Sequence, residues 1–194
     1  MRTETKSHEI DVQPIRSQEQ IKDMLWALNR HCSRRDYILF LIGINTGLRV
    51  SDLLTLETQQ ILALRNRKQK KITVKEGKTK KQREINLHSI YPEVLAYAET
   101  NTSKYLFPSR KGDKAITKIQ AYRQLQKAAD FAGVESIGTH TMRKTFGYWL
   151  YKQTKDIALL QDILNHSKPS ITLKYIGINQ EEKDKVLDSF CLGL

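Results

Sequence analysis

The chain is short of the residues that staple, break or span. Its 194 residues include two cysteines, Cys32 and Cys191. They stand in neither a disulfide nor a metal-binding spacing, so they read as free thiols in a reducing cytosol. No apolar run reaches the roughly 20 residues of a membrane span. Residues 38–44, Ile-Leu-Phe-Leu-Ile-Gly-Ile, read instead as a buried helix segment. The polar stretch Met1 to Val12 lacks the apolar core of a signal peptide. There is no internal repeat, low-complexity tract or interdomain linker. Acid is also scarce: 21 Asp and Glu face 33 Lys and Arg, for a net charge of +12. That imbalance points to a polyanionic partner, nucleic acid before a membrane surface. Charge alone carries no sequence specificity, because phosphate contacts position a protein without reading bases.

What is present is mostly helix. Ser17-Gln18-Glu19-Gln20 is a capping-box pattern ahead of Ile21, Met24, Leu25 and Leu28 at helical spacing. Ser33 is expected to cap a second, central helix that Gly47 ends, leaving Arg49 at a helix–helix junction. Lys71–Val74 and residues 83–87 read as two short strands around the polar turn 75–82. Two strands are marginal alone, so they must pack on helices. Ser89 is expected to cap a helix to Ala98. Thr117-Lys118-Ile119-Gln120 opens another helix, stopped by Gly133. Further helices are expected over about 141–153 and 156–164, with a short one carrying Pro169 in its first turn and Tyr175. A last amphipathic helix is expected over 180–192. The fold class is therefore mainly α with a small antiparallel β-sheet (α+β). Residues 1–14 are expected as a flexible arm, and 15–194 as one domain.

Six side chains suit one chemistry. Arg49 lies upstream. His140 and Arg143 form a His-x-x-Arg unit, and His166 precedes Tyr175 by nine positions. Attack on a phosphodiester builds negative charge on the non-bridging oxygens, and each fixed donor aimed there is worth roughly 2.7–4 kcal/mol. Arginine suits this role, since its planar fork matches phosphate and stays charged. Ionising a tyrosine at pH 7 costs roughly 4 kcal/mol, so a preformed phenolate is not expected. His140 or His166 is placed to take the proton. The leaving 5′ oxygen needs an acid, and Lys78 or Lys75 on the polar turn fits. Singly, each residue also has an ordinary structural reading: a helix-end ion pair, a surface histidine, a packed tyrosine, a solvated lysine.

Together these residues resemble the tyrosine recombinase, or phage integrase, family. Thr46-Gly47-Leu48-Arg49 with Ser51-Asp52-Leu53-Leu54 is similar to its first arginine motif. Gly77-Lys78-Thr79 followed by Arg83 resembles its lysine hairpin, and favours Lys78 over Lys75. Tyr105-Leu106-Phe107-Pro108 is a further local match. His140-Thr141-Met142-Arg143 resembles its His-x-x-Arg motif, and Leu164-Asn165-His166 its Leu-Gly-His motif. The resemblance covers about residues 15–190. It implies that Tyr175 forms a 3′-phosphotyrosyl bond, that Arg49, His140, Arg143 and His166 hold the scissile phosphate, and that Lys78 protonates the leaving oxygen. It implies no cofactor, no metal and no ATP. Double-stranded DNA is the implied partner, with a tetramer on paired sites; a monomer is expected without DNA, and no membrane is involved.

Departures are also visible. Asn165 stands where the family has Gly, and Lys144 follows Arg143 where it often has His. Asn tolerates the left-handed backbone of a helix end. Family members usually carry an N-terminal core-binding domain that closes a clamp on DNA, and only a short arm precedes the expected catalytic domain here. Two other functions share this chemistry or surface: a type IB topoisomerase-like relaxing enzyme, and a catalytically silent DNA-binding regulator.

Overall fold

A computed structural model describes residues 12–177, together with 187–188 and 190–191. Its helices are α1 (Gln18–His31), α2 (Arg34–Thr46), α3 (Val50–Leu53), α4 (Thr58–Leu62), α5 (Tyr91–Thr100), α6 (Lys118–Ala132), α7 (Thr141–Thr154), α8 (Ile157–Ile163) and α9 (Pro169–Ile176). Strands β1 (Lys71–Lys75) and β2 (Gln82–Asn86) form one antiparallel pair.

Helix α2 is the axle. Its Ile38, Leu39, Phe40 and Ile42 are all essentially unexposed, and it touches α1, α5, α6 and α7. Burying each such side chain is worth roughly 1.5–3 kcal/mol, which explains why the segment is apolar on most sides. Ser33 Oγ accepts the Asp36 N–H at its start, as the sequence implies. Gly47 ends it in the left-handed conformation, with φ at 62°. A Cβ there would also lie 2.3 Å from Phe146 Cδ1 on α7, so the position needs glycine for two reasons. At α1, Ser17 Oγ accepts the Gln20 N–H. At α6, both halves of the Thr117–Gln120 capping box form, and Gly133 closes the helix. A second, smaller apolar cluster of Tyr148, Leu160, Leu164 and Ile176 joins α7, α8 and α9.

The strands each begin or end one residue away from expectation. The ladder pairs Lys75 with Gln82, while Leu87 turns away and donates its N–H to Lys70 O. Ile72, Val74 and Ile85 face inward, which gives the two-stranded ribbon the helical backing it needs. Ser89 does not cap α5. A 3₁₀ turn spans His88–Ile90, and α5 starts at Tyr91 with Pro92 in its first turn and no side-chain cap. Proline supplies the start, because it lacks the N–H that a cap would have satisfied.

Val12 to Pro14, assigned by sequence to the arm, lie against the domain. Lys144 Nζ donates to Val12 O at 2.6 Å, the Gln13 N–H donates to Ser136 O, and Pro14 is buried. Ile15 continues the strap over α7, donating to Thr145 Oγ1 and accepting from Trp149 Nε1, both at 2.9 Å. The helix expected over 180–192 falls largely outside the described residues. Among the described residues no helix is long and apolar enough to cross a membrane.

Candidate active site

The C-terminal end of α2 organises the site. The last carbonyls of a helix have no partners within it and carry partial negative charge. Two arginines meet them. Arg143 Nη1 donates to Gly47 O at 2.7 Å, and its Nη2 to Leu164 O at 2.6 Å. Arg83, on β2, donates to Thr46 O and Gly47 O. Arg143 is only 2% exposed, and its two bonds tie α7 to the ends of both α2 and α8. Arg49 stands at the start of α3 and is held differently. Among the described residues it meets no carbonyl, only carboxylates: Glu76 Oε2 at 3.0 Å and Asp52 Oδ2 at 3.8 Å.

Glu76 is wholly buried in the turn after β1. Its Oε2 accepts from Thr79 Oγ1 at 2.8 Å and from Asn165 Nδ2 at 3.3 Å. Its Oε1 lies 3.7 Å from Arg143 and 3.8 Å from Arg83, with no hydrogen bond. Burial pushes this carboxyl up, but the Thr79 bond and the charges of Arg49 and Arg143 outweigh it, and the pKa falls below 4.5. Burial, with the Arg143 charge, lowers Arg83 to about 10, which still leaves it charged at neutral pH. Asp52, equally buried, accepts the Gly77 N–H at 3.0 Å. Three guanidiniums and two carboxylates thus share one buried centre, with one positive charge in excess. Buried charges persist only when paired this way, and the excess leaves the centre able to accept one anionic group.

The phenol sits beside this centre. Tyr175 Oη is 3.3 Å from His140 Nδ1, and its ring meets the His166 ring edge-on at a centroid distance of 5.1 Å. Burial raises the Tyr175 pKa, opposed by the nearby Arg143 and Arg49 charges. Burial and the same two arginines lower His166 to about 4. His140 is lowered as well, by burial and then by Arg143 and Lys144. Both imidazoles are therefore neutral at pH 7, next to a phenol that keeps its proton. His166 Nδ1 is 3.1 Å from the hydroxyl of buried Thr172, which fixes the ring's orientation. Lys144 Nζ lies over the Tyr175 ring, 5.5 Å from its centroid.

Arg49, His140, Arg143, His166 and Tyr175, spread over most of the sequence, thus converge. Lys78 is exposed on the β1–β2 turn, and its charge is felt at both histidines. Lys75 ends β1 as part of the ladder. Asn165 adopts the left-handed backbone expected of it, with φ at 51°. Sequence reasoning missed Glu76 and Asp52 as the arginines' partners and Arg83 as the second guanidinium on α2. The one available signal was Glu76 itself, an acid inside the basic run 75–83.

The scaffold is that of a tyrosine recombinase catalytic domain. The crystal structure of the XerH site-specific recombinase, in a post-cleavage complex with its palindromic difH substrate, matches with a TM-score of 0.71 at 21% identity. The match covers 95% of this chain and 55% of that one. Residues 16–182 match the model of the phage integrase family, and the chain belongs to that family of site-specific, DNA breaking-rejoining enzymes. The "Probable integrase/recombinase YoeC" of Bacillus subtilis (strain 168) is 48% identical over 173 residues, 88% of this chain and 92% of YoeC. Tyrosine recombinase XerA of Pyrococcus furiosus is 26% identical over 89% of this chain, which spans only 60% of XerA.

Proposed function

We propose that this chain cuts and reseals duplex DNA with Tyr175 as nucleophile. Tyr175 Oη attacks the scissile phosphorus; the new O–P bond forms as the bond to the 5′ oxygen breaks. His140 takes the phenol proton and Lys78 gives one to the departing oxygen. Arg49, Arg143 and His166 hold the phosphate. A 5′ hydroxyl from a partner strand then attacks the 3′-phosphotyrosyl ester, and the phenol leaves with its proton restored. The ester retains the energy of the broken bond, so no ATP is consumed.

The observation that carries this is the 3.3 Å approach of the Tyr175 hydroxyl to His140, whose pKa burial and the charges of Arg143, Lys144 and Arg49 lower. Ionising a tyrosine in advance costs roughly 4 kcal/mol at pH 7, and burial raises that cost here. Proton transfer during attack avoids it. Duplex DNA as partner is supported by the +12 charge, the family and the substrate-bound XerH structure that the fold resembles. Assembly as a tetramer on paired sites, from a monomer in solution, belongs to the same proposal.

The test is a library of nicked duplexes randomised around the nick, which traps any covalent adduct because the short cleaved strand diffuses away. The wild type should yield adduct on a subset of sequences, and Tyr175→Phe none. Adduct from the Phe variant would show the nucleophile to be another residue. Wild type that binds DNA without adduct would be a silent binder, and relaxation of supercoils without site preference would mark a topoisomerase.

A further inference from the structure

Asn165 occupies the left-handed end of α8, where the family's Leu-Gly-His motif has glycine. A glycine would meet the backbone requirement more cheaply, so the asparagine's backbone gives it no advantage. Its side chain does something a glycine cannot: Nδ2 donates to Glu76 Oε2 at 3.3 Å, across 89 positions. The same oxygen takes the Thr79 hydroxyl and faces Arg49 at 3.0 Å. Three parts of the site therefore meet on one atom: the loop carrying His166, the turn carrying Lys78, and Arg49.

The dependence is uneven. Arg143 is bracketed by the Gly47 and Leu164 carbonyls and keeps its place without Glu76. Arg49 is aimed by carboxylates alone, Glu76 being the nearer. Glu76 also shapes its own turn, with its N–H on Lys81 O and its carbonyl on the Lys80 N–H, both at 2.9 Å. Lys78 lies between those anchors, exposed and without a bond among the described residues.

We propose that Glu76 and Asn165 are positioning residues: Glu76 aims Arg49, and Asn165, through Glu76, latches the His166 loop to the Lys78 turn. Glu76 thereby sets the donor to the phosphate, and Asn165 sets the turn that carries the acid for the leaving oxygen. The inference rests on the roles given above to Arg49 and Lys78.

Asn165→Gly is a clean probe, because glycine relaxes the left-handed backbone and the fold is retained. Adduct formation on a sequence recovered from the nicked library should slow about tenfold, the loss expected for one hydrogen bond to a charged group. On the same duplex with sulfur as the 5′ leaving atom, which needs no acid, the variant should run at the wild-type rate. Amide exchange over residues 77–82 should quicken. Glu76→Gln should instead slow both substrates, since Arg49 serves the phosphate in either case, and a general loosening cannot reproduce that split. The latch is overturned if Asn165→Gly slows both substrates equally, or leaves rate and exchange unchanged. Should wild type form no adduct at all, the catalytic reading fails, and amide exchange over 77–82 still decides the latch.

Discussion

Arg143 Nη1 and the carbonyl of Gly47 are 2.7 Å apart, though 96 positions separate them in sequence. The bond joins the chemistry to the architecture. Gly47 terminates the central helix, and the carbonyl left free by that termination is the one the arginine takes. The guanidinium is thereby pinned in advance, so in the role proposed for it little reorganisation would remain when charge develops.

Gly47→Ala should therefore harm stability and activity together. A left-handed non-glycine residue costs about 1–2 kcal/mol, and the methyl group would press on Phe146. The urea midpoint should fall, and adduct formation should fall further than the loss of folded protein explains. An unchanged midpoint would contradict this account of the helix end.

The two histidines make stability depend on pH. His166 titrates at about 4 in the fold against an ordinary 6.5, held down by burial and by Arg143 and Arg49, with Glu76 opposing and Lys78 assisting. The unfolded chain binds more protons between those values, so stability falls as pH drops from 6.5 toward 4 and is flat above. His140 acts in the same direction. Glu76, with its lowered carboxyl, adds a loss at pH values below 4.5 as it protonates. Urea midpoints measured across this range should show the decline, and His166→Gln should make it shallower. An equal slope in the variant would remove His166 as a source.

Lys78→Ala should slow cleavage of an ordinary phosphodiester by 10²-fold or more, within the roughly 10²–10⁴ range of general acid catalysis. With a 5′-thio leaving group the deficit should largely vanish. Single-turnover adduct formation on the two substrates gives the comparison, and matched deficits would exclude Lys78 as the acid.

Local signals in the sequence proved legible. Ser33 and Thr117 cap their helices, and Gly47 and Gly133 end theirs, because capping is settled within a few residues. Asn165 took its left-handed conformation for the same reason. Ser89 misled, because it satisfies the same local rule as Ser33 while Pro92 set the start of α5. Val12 to Pro14 looked like free arm, because a short polar segment carries no periodic pattern. Their hold on the domain comes from Lys144 and Ser136, more than 120 positions away.

The kinds of side chain were written in the chain order: two arginines, two imidazoles, one phenol, a lysine on a turn. Which carboxylate steadies which guanidinium was not, since an ion pair's energy depends on separation and on the surrounding dielectric. Neither quantity exists until α2, α7, α8 and the β1–β2 turn close around Glu76. Only that closure made an acid inside a basic run the hub of the site.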